Sequence, residues 1–214
     1  MSERVAMWVA SRGVEFSDAQ RRILLAAERL FAERGVSHVS MREISAAAGQ
    51  RNNSAVQYHF KNKHALLRAL YDLRMVSLNS RRNELLDLCA EHTVLSSVDA
   101  FIRPLGDAVV GAGGSTAYAR FLNRHLTEMR WHINDFGDDH VSGAFRVYRL
   151  LDDLLADVPD VERIERFHQM NRIVTAVLAD VEERLELGEI DSRRARRAVE
   201  TLISGVAAAV ASPC

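Results

Sequence analysis

The chain has 214 residues, with 28 Lys+Arg against 29 Asp+Glu for a formal net charge of −1, and it is 48% hydrophobic and 27% charged. That balance is ordinary for a soluble globular protein. Two cysteines, Cys89 and Cys214, exclude a disulfide scaffold. Arg4, Arg12 and Glu15 break Met1–Phe16 as a secretory leader, and the uncharged run Thr201–Cys214 is too short to span a bilayer.

The residues up to 16 read as an arm. From Ser17 to Arg34, Ile23, Leu24, Ala27, Leu30 and Phe31 recur at helical spacing. Ser17 and Gln20 form a capping-box pattern at its start, and Gly35 stands just past its end. Ser40 and Glu43 repeat the pattern, predicting a short helix to Ala48 that stops at Gly49. The polar run Gln50-Arg51-Asn52-Asn53-Ser54 precedes a helix from Ala55 to Phe60, and Asn62 can cap a further one carrying Leu66, Leu67, Leu70, Leu73 and Leu78.

The rest also reads helical. Val98–Val110 is a segment interrupted by Pro104, and Gly111-Ala112-Gly113-Gly114 breaks it. Tyr118–Trp131 follows, then a polar loop Asn134–His140, then Val141–Ala156 up to Pro159. Val161–Leu187 and Ser192–Ala211 close the chain, separated by Gly188. With no strand-like alternation and no repeat, the fold class is all-α.

Charge is unevenly placed. Residues 1–80 carry a net +5 and residues 81–214 a net −6. A basic head on an acidic body suits a phosphate-binding module joined to something else. Within the head, Ser40–Phe60 has what a helix-turn-helix needs. Ile44 supplies an apolar contact, Ser45 is small where helices cross, Gly49 permits a left-handed turn, and Val56 faces the core. Asn53, Ser54, Gln57 and Tyr58 are left on the outer side, with groups that bond base edges and phosphates.

The helix Ser17–Arg34, the run Ser40-Met-Arg-Glu-Ile-Ser-Ala-Ala-Ala-Gly49, and Tyr58-His59-Phe60-Lys61-Asn62-Lys63 with Leu66 and Leu67 together resemble the TetR family of transcriptional regulators. The motif match covers roughly residues 17–70. The resemblance implies a three-helix head over 17–62 and a body over 63–214, whose linking helix runs about 63–79. It also implies a ligand-binding body that dimerises through its last two helices. This chain departs from the family pattern by one extra residue between Gly49 and Phe60, and by Ser54-Ala55 where the family has Gly-Thr.

Asn and Gln pair bidentately with adenine and Arg with guanine, so Arg51, Asn52, Asn53 and Gln57 are the readout candidates. Ser40 and Ser54, at helix starts, and His59 complete the set of expected DNA contacts. Tyr58 and Lys63 resemble the family's phosphate contacts, and His59 and Phe60 close the small core. The expected partners are a near-palindromic double-stranded DNA operator, a second copy of the chain and an unidentified small-molecule effector. No membrane and no cofactor are expected, and the location is the cytoplasm, at the nucleoid.

Phe101, Leu105, Tyr118, Phe121, Leu122, His125, Met129, Phe145 and Tyr148 fall where the family places its pocket helices. Such a stripe also reads as plain core. If it lines a pocket, it favours an apolar or amphipathic effector. Val174, Leu178, Val181 and Leu185, with Val199, Leu202, Ile203, Val206 and Val210, form the stripes expected to make the dimer interface. Against an enzyme stands the absence of a nucleophile elbow, phosphate loop or zinc-protease motif. The rival reading is a helical metal-dependent enzyme or ligand carrier with a non-functional head. It rests on His132, Asp135, Asp138, Asp139 and His140, which crowd one stretch without the spacing of any specific metal motif.

Overall fold

In a computed structural model, residues 15–49, 55–128 and 138–212 are described. The head comprises α1 (Asp18–Arg34), a 3-10 turn (Val36–His38), α2 (Met41–Ala47) and α3 (Ala55–Phe60). Both predicted capping boxes form. Ser17 accepts from the Gln20 N–H while the Gln20 side chain accepts from the Ser17 N–H, and Ser40 and Glu43 do the same. Each satisfies two of the donors that a helix start leaves orphaned.

Asn62 caps α4 (Lys63–Asp87), whose 25 residues rise roughly 37 Å and carry the chain from head into body. The body adds α5 (Val94–Ala112), α6 (Tyr118–Glu128), α7 (Asp138–Leu154), α8 (Asp160–Glu186) and α9 (Ser192–Ala211). α5 runs through the centre and packs against α4, α7, α8 and α9, while α6 lies between α8 and the head helix α1. No strand occurs among the described residues.

Several boundaries differ from the sequence reading: α4 runs on to Asp87, past the expected end near 79, and α5 begins at Val94 rather than Val98. α5 is not interrupted at Pro104 but continues through it and ends at Gly113, whose φ of 55° is left-handed. The chain there is wedged between α4 and α9, and packing on two sides outweighs one lost backbone bond. The segment expected as a loop through His140 is helical from Asp138. Head and body share their core: Phe31 of α1 lies 6.1 Å from Phe121 of α6, ring centre to ring centre.

Candidate nucleic-acid interface

Ile44, Ser45, Val56 and Phe60 are buried and hold α2 against α3. Gly49 turns the chain between them with φ 67°, a conformation that costs a residue with a Cβ about 1 kcal/mol. With its apolar side so anchored, α3 leaves Gln57 exposed and Tyr58 86% exposed. That exposure leaves the Tyr58 ring and hydroxyl open to a contact outside the chain. Lys61 follows α3 in a left-handed conformation (φ 53°), and both it and Arg42 are exposed beside the helix.

The other named candidates are placed as follows. The Ser40 hydroxyl is committed inside the head: it donates to Glu43 at 2.7 Å and accepts from the Glu43 N–H. Arg34 closes that corner with a 2.7 Å ion pair to Glu43. Bonds from the Ser40 hydroxyl, then from its N–H and from Arg34, pull the Glu43 carboxyl down to about 2. Lys63 is half-buried and donates one proton to the Val36 carbonyl at 3.0 Å, leaving two donors of its ammonium for a further contact. His59 is half-buried with its ring edge-on to Tyr58 at 5.3 Å. Arg51, Asn52, Asn53 and Ser54 lie outside the described residues.

The sequence reading did not find the joint between head and body. Glu28 on α1 and Arg74 on α4 are both buried and meet in a bidentate pair at 2.8 and 2.9 Å. Glu28 also accepts from the Thr116 hydroxyl and from the Ala117 N–H, each at 3.1 Å. Next to it Glu182 of α8, also buried, accepts from the N–H groups of Ala119 at 3.2 Å and Arg120 at 3.0 Å. The first turn of α6 is therefore capped by two carboxylates, one from the head and one from α8. Anions at a helix N-terminus meet both its free N–H groups and its dipole. Burial pushes the Glu182 carboxyl up to about 7, against those N–H bonds. An acidic residue on the inner side of α1 is the one signal for this joint in the sequence.

The expected effector residues are a packed aromatic layer. Phe101, Leu105, Tyr118, Phe121, Leu122 and His125 are buried. Phe121 stacks on His125 at 5.6 Å, and Phe101 meets Tyr148 at 5.6 Å. Tyr148 is half-buried and donates to Asn171 at 2.8 Å, Phe145 is 36% exposed, and Met129 lies outside the described residues. Arg82 is buried beneath this layer, 5.0 Å from the Phe101 ring centre, donating to Asn79 at 2.8 Å; burial lowers it to about 10.

The nine expected dimer residues, Val174, Leu178, Val181, Leu185, Val199, Leu202, Ile203, Val206 and Val210, are all buried inside the protomer. The two helices that carry them pack on α5, on α6 and on each other. Among the described residues no group of three or more His, Cys, Asp or Glu is placed to hold a metal. His132 and Asp135 lie outside the described residues, as do the side chains of Asp138, Asp139 and His140.

A short exposed helix on a three-helix head, borne by a long helix into an all-helical body, defines a helix-turn-helix regulator. The family models agree: residues 23–70 match the bacterial regulatory proteins of the tetR family, and residues 99–209 match the tetracyclin repressor-like C-terminal domain. The chain belongs to the TetR family and is a DNA-binding transcriptional regulator, not an enzyme. Regulators of this family bind DNA operators and act as dimers.

Among solved structures, a bacterial regulatory protein in the tetR family from Rhodococcus RHA1 shares the fold at 20% identity. That alignment covers 89% of this chain and 98% of that one, with a TM-score of 0.52. The fatty acid degradation regulator FadR from Bacillus halodurans aligns at 16% identity over 89% of this chain and 97% of that one, with a TM-score of 0.50. No curated protein matches the sequence. No helix among the described residues is long and apolar enough to cross a membrane.

Proposed function

We propose that the protein is a repressor that holds a near-palindromic operator as a homodimer in the cytoplasm, at the nucleoid, and releases it when a small molecule binds the body. The observation that carries the DNA side is the outer face of α3, where Gln57 and Tyr58 stand in water while Val56 and Phe60 anchor the same helix. Gln57 reads a base, and Tyr58, Lys61, Lys63 and Arg42 fix register on phosphates.

A homodimer places two such heads about 34–36 Å apart, one turn of DNA. The exposed Ile173, Gly205, Ala208 and Ala209 on α8 and α9 offer the second copy a closely approachable surface. The head spans residues 17–62, and the joint at Glu28 makes its angle depend on the body. An effector favouring a body shape with the wrong head spacing weakens DNA binding by its differential affinity.

Selection from random duplex DNA with the purified protein tests this. The expected result is an enriched near-palindrome whose affinity falls steeply with salt. Recovery of no enriched sequence, or of single half-sites only, contradicts the reading.

A further inference from the structure

A cavity of about 460 Å3 opens on the seam between head and body. Its walls come from Leu25 and Arg29 of α1, Leu105 and Ala108 of α5, Tyr118 of α6 and Arg196 of α9. The volume falls within the range of small-molecule sites. It is a different place from the aromatic layer between α5, α6 and α7, with which it shares only Leu105 and Tyr118.

The chemistry of the walls is two-sided. The inner wall is mostly apolar, with the Glu28–Arg74 pair and Thr116 beside it, and includes Tyr118, whose buried hydroxyl has no hydrogen-bond partner among the described residues. The rim is cationic. Arg29 and Arg196 are exposed, and neither forms an ion pair within 4 Å among the described residues; Arg29 makes one long bond, 3.4 Å, to the Ser115 carbonyl. Two carboxylates also border the cavity. Glu28 is spent on Arg74, Thr116 and the Ala117 N–H. Asp107 is faced by Arg103 and Arg81 as well as Arg196, so its charge is outweighed from outside the cavity. The local balance therefore favours an anion at the rim.

From this geometry we infer that the seam cavity is an effector site for an anionic amphiphile, its apolar body against Leu105, Ala108 and Tyr118 and its acidic group between Arg29 and Arg196. A molecule lodged there touches α1 of the head and α5 and α9 of the body at once. It cannot bind equally well to two different head angles, and that difference is what an effector needs. The inference rests on the regulator reading for its consequence, but not for the binding itself.

The test uses two fluorescent probes with one apolar skeleton: 8-anilinonaphthalene-1-sulfonate, and N-phenyl-1-naphthylamine, which lacks the sulfonate. Full-length protein is titrated with each. R29E combined with R196E should weaken the sulfonate by about tenfold or more while moving the neutral probe by less than about twofold. G111W should weaken both probes. Gly111 lines the cavity on α5, and a Cβ there meets nothing within 4 Å. Melting curves check that both variants remain folded.

Equal loss of both probes in the arginine variant, or unchanged binding in the tryptophan variant, overturns the site. Bound sulfonate that leaves operator affinity unmoved overturns its role as effector site. A protein that selects no operator even without probe refutes the regulator reading instead, and the charge-dependent binding then still decides whether the cavity takes an anion.

Discussion

Head and body both finish helices with local caps, and they differ in what else their polar side chains hold. In the head, Ser17 with Gln20 and Ser40 with Glu43 bond across three residues, at the surface, each finishing its own helix. The body has the same device in Thr93 with Ser96 and in Asp191 at the start of α9, and adds contacts between residues far apart in the chain: Glu182 to the start of α6, Arg103 to Glu200 across 97 positions, and Arg74 to Glu28 of the head. The two carboxylates Glu43 and Glu182 show the consequence. One is pulled down to about 2 by hydrogen bonds in water, and the other is pushed up to about 7 by burial. Local caps finish the helices that present α3, on a core the head shares with the body. Buried bonds between distant residues link the helices of the body, and Glu28 ties the head to them.

If this contrast is right, breaking the buried joint has the largest effect. Glu28→Ala leaves the Arg74 guanidinium buried without its carboxylate and should cost about 3–5 kcal/mol in denaturant unfolding. Glu28→Leu with Arg74→Met should recover part of that, because an apolar pair needs no counter-charge, while the Thr116 hydroxyl and the Ala117 N–H still lose their acceptor. A single-variant loss below about 1 kcal/mol would break the comparison.

The pH dependence of stability sharpens it. A buried carboxyl raised from 4.5 to about 7 holds its proton in the folded protein after the unfolded chain has lost it. Stability is then greatest below pH 4.5 and falls as pH rises toward 7, by at most about 3 kcal/mol from this group. Glu182→Gln should flatten that segment of the profile. Glu43 lies on the other side of its usual range, and its contribution is present at neutral pH and lost only as pH falls toward 2.

A smaller loss is expected at Gly114, on the turn into α6. Its φ is 84°, and a Cβ there would meet the Glu186 backbone at 2.6 Å, so Gly114→Ala should cost about 1–3 kcal/mol by calorimetry. The smallest is Ser40→Ala, a lost cap worth about 1 kcal/mol, confined to the head and visible as faster amide exchange in α2.

The same contrast explains what could be read from the sequence. Caps, the Gly49 turn and the apolar positions Ile44 and Val56 are local patterns, and the structure has them where the spacing put them. The stripes Val174–Leu185 and Val199–Val210 were equally regular, but periodicity shows only that a helix has an apolar face. It does not say what covers that face, and here those residues are buried within one protomer. Pro104 misled for a related reason: a helix breaker is judged alone in sequence, while in the fold α5 is clamped between neighbours. Glu28 and Arg74 stand 46 positions apart, and no local rule pairs them.

The central claim, that the outer face of α3 reads DNA while the body only carries it, is tested most directly by anisotropy titrations on the selected operator. Wild type and Gln57→Ala would be compared on that operator and on duplexes changed one base pair at a time. The account predicts that Gln57→Ala loses about 1–3 kcal/mol of discrimination at one position in each half-site and none elsewhere. Unchanged discrimination at every position would contradict it.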